Sequence, residues 1–109
     1  MSDYIKYRTK DLAIIIPTKD RPKQIYRHLM SLADQNCELG RVIIVDSGKN
    51  IEEIVLSFKD RIPVEYYKSD PGQVRQRNLA ISMLNDTTNL VAWMDDDVTY
   101  YENSINHMI

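Results

Sequence analysis

With 109 residues, 43% hydrophobic and 28% charged, the chain has room for one domain around one modest core, and its composition excludes a disordered or low-complexity segment. A formal net charge of −2 provides no broad positive field, which argues against nucleic acid as a main partner. The single cysteine, Cys37, excludes an intrachain disulfide, no apolar run approaches the roughly 20 residues of a membrane span, and no leader pattern opens the chain; the expected setting is cytoplasmic, free or at the cytoplasmic face of a membrane.

Residues 1–11 are polar and read as an N-terminal arm, leaving residues 12–109 as the folded body. "LAIIIP" (Leu12–Pro17) is short, continuous and β-branched, which suits a strand buried on both faces, and "RVIIVDSG" (Arg41–Gly48) repeats the form. Between them Pro22 can open a helix whose Ile25, Leu29 and Leu32 share one face, and Gly40 closes the connection. A second apolar helical face follows at Ile51, Ile54, Val55 and Phe58. "IPVEYYK" (Ile62–Lys68) is a third strand, which Pro63 confines to a sheet edge or delays until after the proline. The turn "SDPGQ" leads to a helix from Gln73 to Leu84 with Val74, Ile81 and Leu84 as its inner face. "NLVAWM" (Asn89–Met94) is the fourth strand, and the tail from Tyr101 reads as helical.

Alternating strands and helices predict an α/β fold: a Rossmann-like three-layer αβα arrangement with a mainly parallel sheet. Right-handed crossovers favour strand order 3-2-1-4. In open sheets of this kind ligands bind beyond the carboxyl ends of the strands, where the strand order reverses. The residues expected there are Pro17, Thr18, Lys19, Asp20 and Arg21 after the first strand, Asp46, Ser47 and Gly48 after the second, and Asp95, Asp96 and Asp97 after the fourth.

Three adjacent aspartates are the strongest chemical feature. In an extended segment Asp95 and Asp97 would point one way and Asp96 the other. Like charges so close disfavour one another's ionised forms unless a cation or a set of donors holds them. Hard oxygen ligands suit Mg²⁺ or Mn²⁺, and Mg²⁺ commonly combines one or two carboxylates with substrate phosphates, which implies a diphosphate ligand. The plainer alternative is a solvated acidic turn capping the tail helix. Neither G-x-x-x-x-G-K-[ST] nor G-x-G-x-x-G is present, so a phosphate would be held by metal, helix N-termini or basic side chains. Arg75 and Arg77 are candidates, but they lie about 200° apart around a helix and do not serve one small site together.

In order and spacing, "IIIPTKDRP", "VIIVDSG", "DPGQVRQRNLAI" and "VAWMDDDV" resemble the N-terminal, nucleotide-sugar-binding half of family 2 glycosyltransferases, which have the glycosyltransferase A fold. The resemblance covers about residues 12–99. It implies that Pro17, Thr18 and Asp46 line the nucleoside pocket and that Arg77, rather than Arg75, faces the nucleotide. It also implies that Asp95 and Asp96 approach the ribose or donor sugar and that Asp97 binds the divalent cation, Mn²⁺ or Mg²⁺, bridging the diphosphate. The implied ligand is a nucleoside-diphosphate sugar, and the acceptor would be a glycan, lipid or protein hydroxyl.

Two departures bear on this. The position after Thr18, commonly aromatic in the family, is Lys19, so stacking on the base there is lost. The family's acceptor half and general base would follow the aspartates by many residues, so no catalytic residue is identified and the base is expected beyond Ile109. His28, mid-helix, reads as a surface or half-buried residue, and His107 lies in the tail. The resulting expectation is a partial glycosyltransferase A fold, a donor-binding domain with little transfer activity alone. One alternative is a non-catalytic α/β scaffold or partner-binding module, which could self-associate through an exposed sheet edge. The other, a phosphoacceptor receiver-like module, would need acidic residues after its first strand, an acceptor Asp after its third and a Lys after its fifth; Asp20 sits late, the third strand ends in "EYYKSD", and no fifth strand is read.

Overall fold

Leu12, Ala13, Ile14, Ile15 and Ile16 are all buried because β1 (Leu12–Thr18) runs through the interior of a parallel sheet with helices on both faces. The computed structural model describes residues 9–35, 37–82, 84, 90–100 and 105. The other elements are α1 (Pro22–Ala33), β2 (Arg41–Asp46), α2 (Glu52–Leu56), β3 (Val64–Lys68), α3 (Gln73–Ser82) and β4 (Leu90–Trp93), preceded by a single 3-10 turn at Thr9–Asp11. The sheet order is β3-β2-β1-β4. All three pairings are parallel, with Ile15 opposite Ile43 on one side of β1 and opposite Trp93 on the other. The order expected from the apolar runs is therefore the observed one. Pro63 precedes β3, an edge strand, and β2 begins against it through the bond from Val42 N–H to the Pro63 carbonyl.

Side-chain alternation along β1 and β2 divides the interior. Leu12, Ile14, Ile16, Val42 and Ile44 pack with Ile25, Leu29 and Leu32 of α1 and with Ile51, Val55 and Phe58 of the α2 region. Ile15, Ile43 and Val45 face the other way, onto Ala80 of α3 and the partly buried Leu79 and Leu84. The first layer is the larger core. Ile105, fully buried, joins it, and its N–H is held by the Gln35 side-chain carbonyl. The rest of the expected tail helix, with His107, lies outside the described residues, as do residues 1–8 of the arm and Asn89.

The inner face of α3 differs from the expected one. Val74 and Ile81 are exposed, and the buried residues are Gln76 and Ala80, with Leu84 continuing the same four-residue spacing. The reason lies at the strand ends. Gln76 Nε2 donates to the carbonyls of Thr18 at 3.1 Å and Val45 at 3.0 Å, groups at the ends of β1 and β2. A buried side-chain amide requires partners, and these strand-end carbonyls supply them, which outweighs the hydrophobicity of Val74 and Ile81 in setting the helix's rotation.

The β1–α1 connection is drawn tight. Asp20 adopts a left-handed backbone (φ 54°), a conformation Asp tolerates better than most residues, and its Oδ1 accepts from Lys49 N–H at 2.7 Å. A Cβ on Gly48 would lie 2.4 Å from that same Oδ1 and 2.6 Å from Asp20 N, so only glycine admits this approach. The two connections therefore pack backbone to backbone, which fixes how Lys19 and Arg21 leave β1.

Candidate functional site

The carboxyl ends of β1 and β4 and the first turns of α3 enclose a cleft of about 440 Å³, lined by Pro17, Thr18, Lys19, Arg21, Gln76, Arg77, Trp93, Met94 and the three aspartates. It lies where the sheet order reverses beside β1, the position expected for ligands in such folds. Pro17, Thr18, Arg77, Asp95, Asp96 and Asp97 are thus brought together. Asp46 is not among them.

The aspartates form a turn rather than an extended strand. Asp95 C=O accepts from Val98 N–H at 3.3 Å, and β4 has already ended at Trp93. The expected alternation of an extended segment is replaced by this turn, in which Asp96 is buried while Asp95 and Asp97 are exposed. Asp96 Oδ2 accepts from Thr18 Oγ1 at 2.9 Å and lies 3.3 Å from Arg21 Nε. Arg21 Nη2 is 3.7 Å from Asp97 Oδ2, whose side chain is 59% exposed. The guanidinium therefore offsets the repulsion between the two carboxylates, the need that the sequence pattern raised.

Among the described residues no group of three His, Cys, Asp or Glu side chains is arranged to hold a metal ion. The donor set nevertheless fits a cation of the Mg²⁺ or Mn²⁺ kind. Asp95 and Asp97 are exposed hard-oxygen donors at one end of the cleft, and such cations take one or two carboxylates and complete their shells with water and phosphate oxygens.

Arg77 and Arg75 separate as helical geometry requires. The Arg77 guanidinium sits 5.4 Å from the Trp93 ring centroid on the wall of the cleft, within cation–π range. Arg75 turns away and pairs with Asp70 at 3.5 Å, both largely exposed. Trp93 itself is 41% exposed, an aromatic surface on an otherwise polar edge.

Asp46 lies opposite Thr18 in the β1–β2 register, with a fully buried side chain. Its Oδ1 accepts from Gly48 N–H at 2.9 Å, an Asx-type closure of the turn, while Oδ2 accepts from Tyr66 Oη at 2.5 Å and from Lys68 Nζ at 3.4 Å. Burial, and then the bond to Asp46, push the Tyr66 phenol up to about 12.

Arg21 was expected at this edge but given no binding role from sequence, and Gln76 and Trp93 were not singled out. Arg21 had the signal of a cation immediately before Pro22, where a strand-end loop enters a helix. Trp93 had that of a large aromatic at the last position of a strand. Gln76 had none, since the carbonyls it satisfies exist only in the assembled sheet. His28, expected at or near the surface, is fully buried beneath the aspartate turn; burial lowers its imidazole to about 4, opposed by the backbone of Asp96 and Asp95 and by the charge of Asp97.

A profile of glycosyl transferase family 2 matches residues 13–109, and the chain belongs to that family. Among solved structures, that of S. aureus TarS 1–349 superposes with a TM-score of 0.77 at 22% identity, covering 89% of this chain and 30% of TarS 1–349. The complexes of the same protein with UDP-GlcNAc and with UDP superpose at 0.74 and 0.75, also at 22% identity, over 89% of this chain and 29% and 30% of theirs. That similarity is one of fold, and the chain spans about a third of the TarS chain it matches. The search of curated proteins gave no match. The sheet order and flanking helices are those of a partial glycosyltransferase A fold. Among the described residues no helix is long and apolar enough to cross a membrane.

Proposed function

We propose that the cleft binds a nucleoside-diphosphate sugar with a divalent cation, as the donor site of a glycosyltransferase that transfers the sugar to an acceptor hydroxyl on a glycan, lipid or protein. The observation that carries this reading is the convergence of Thr18, Arg77 and Asp95–Asp97 on one cleft at the strand-order reversal of a family 2 chain. The neighbouring TarS structures with UDP and UDP-GlcNAc support a uridine nucleotide as the first probe.

In this reading the nucleoside lies along Pro17, Thr18 and the Arg77–Trp93 wall. Trp93 offers the aromatic surface that Lys19 does not, and Arg77 places a positive charge on the nucleotide side. Contact of Asp46 with the base, from a fully buried position outside the cleft lining, requires Lys68 to leave Oδ2. Asp95 and Asp96 approach ribose or sugar hydroxyls, and Asp97 holds Mn²⁺ or Mg²⁺. When bound there, the cation supplies Lewis-acid stabilisation of the departing nucleoside diphosphate. Arg21 turns from Asp97 toward the diphosphate, which keeps a positive charge beside the leaving group. No residue described here is assigned as general base.

Calorimetry with UDP and Mn²⁺ tests the reading. The intact chain should bind UDP more tightly with Mn²⁺ than without, and Asp97→Ala should abolish that difference while leaving metal-free binding in place. Absence of heat with nucleoside diphosphates and either metal would refute the donor-site reading.

A second reading has its own observation: among the described residues β4 pairs with β1 alone, and Val91 and Trp93 are exposed along it. An edge of this kind can take a strand from a second copy of the chain. Light scattering that gives a monomer at all concentrations tested would contradict self-association.

A further inference from the structure

We propose that His28 and Tyr100 are positioning residues for the metal-binding end of the cleft, holding the aspartate turn from beneath; the inference rests on the donor-site reading above. Tyr100 Oη and His28 Nε2 are 2.7 Å apart, and the two rings pack with centroids 5.1 Å apart. Tyr100 N–H donates to Ser31 Oγ at 3.2 Å, and Ser31 Oγ donates in turn to the His28 carbonyl at 2.8 Å. Side chain and backbone of Tyr100 are thus both tied to one turn of α1. At the other end of the same short segment Asp96 is tied to Thr18 and Arg21. Asp97, Val98 and Thr99 lie between the two anchors, so the carboxylate proposed to hold the cation is carried on a loop pinned at each end. Metal and phosphate sites need their ligands held within fractions of an ångström, and loops meet that need only when a supporting layer locks them.

The cost of the arrangement argues that it does more than fill space. His28 is fully buried, and its Nδ1 makes no well-formed hydrogen bond, although the backbone of Asp95 and Asp96 faces the ring. A leucine in its place would fill the position without burying a polar atom. Buried unsatisfied polar atoms are uncommon in native structures, and each calls for a reason. Here the reason is direction: only a hydrogen bond fixes where the Tyr100 ring, and with it the chain after Asp97, comes to rest.

Tyr100→Phe keeps the ring and removes the hydroxyl. Binding of UDP with and without Mn²⁺, and of UMP without metal, is measured by calorimetry on the whole chain. Loss of one hydrogen bond at a positioned site should reduce the Mn²⁺-dependent tightening of UDP by about five- to tenfold while UMP affinity stays within about twofold. The double variant His28→Leu/Tyr100→Phe removes both polar partners, so its thermal stability should recover relative to the single change; the Mn²⁺-dependent gain should stay low. A single variant that keeps the full gain, or a double variant that recovers gain and stability together, would overturn the proposal. A wild-type chain that binds UDP with no Mn²⁺-dependent gain would overturn the metal reading itself, before any variant is compared.

Discussion

Lowering the pH from 7 to 5 should loosen this fold, and His28 should be the cause. The imidazole is fully buried and is lowered from 6.5 to about 4 by that burial. An unfolded chain leaves it near its ordinary value, so between those two values the unfolded state binds a proton that the folded state excludes. Stability from this group is therefore complete at neutral pH and falls as the pH drops from about 6.5 toward 4. Integrating the single-site linkage from pH 7 to pH 5 gives a loss of about 2 kcal/mol, a large part of a small domain's total. Urea unfolding at the two pH values measures the loss directly. His28→Leu should lose much less stability over the same interval; Glu65, lowered by its paired bonds to Arg41 against the effect of burial, keeps its stabilising charge until lower pH. If wild type and His28→Leu lost stability in parallel between pH 7 and pH 5, the assignment to His28 would be refuted.

Gly48→Ala should cost about 1–3 kcal/mol, the usual range for forcing extra atoms into a filled space, since its Cβ would meet Asp20 Oδ1 and backbone N; thermal melts check this. Gln76→Leu should destabilise by about 1–3 kcal/mol through loss of its two buried hydrogen bonds to the Thr18 and Val45 carbonyls, although it makes the helix face more apolar; chemical unfolding measures it. Arg77→Ala should weaken UDP binding about tenfold, while Arg75→Ala, whose partner is the exposed Asp70, should change it by less than about twofold; equal effects of both would contradict the separation of the two arginines.

The sheet was legible because its evidence is local. Three short β-branched runs, one proline before the edge strand and short connections leave few arrangements open once crossovers are right-handed, and the order β3-β2-β1-β4 follows. The first helical layer was legible for the same reason: Ile25, Leu29 and Leu32 have no competing polar duty. The third helix was not. Its rotation is decided by Gln76, whose partners Thr18 and Val45 lie 58 and 31 residues away, and no periodicity in Gln73–Ser82 encodes that demand. The same limit applies to the site. That Asp95–Asp97 would sit at the cleft mouth could be read from the strand before them, but the turn that buries Asp96 depends on Thr18 and Arg21 across the sheet. His28 was misread because its helical position says nothing of the aspartate loop and Tyr100 that later close over it.

Nuclear magnetic resonance of the labelled chain, titrated with UDP and Mg²⁺, tests the central claim most directly, because it reports where the ligand binds as well as whether it does. The account predicts shifts in the amides of Thr18, Lys19, Arg77 and Asp95–Val98 and in the indole N–H of Trp93, with Mg²⁺ adding to those of the aspartate turn. Shifts confined to the outer pocket around Lys68, Asp70 and Arg75, or none at all, would contradict it.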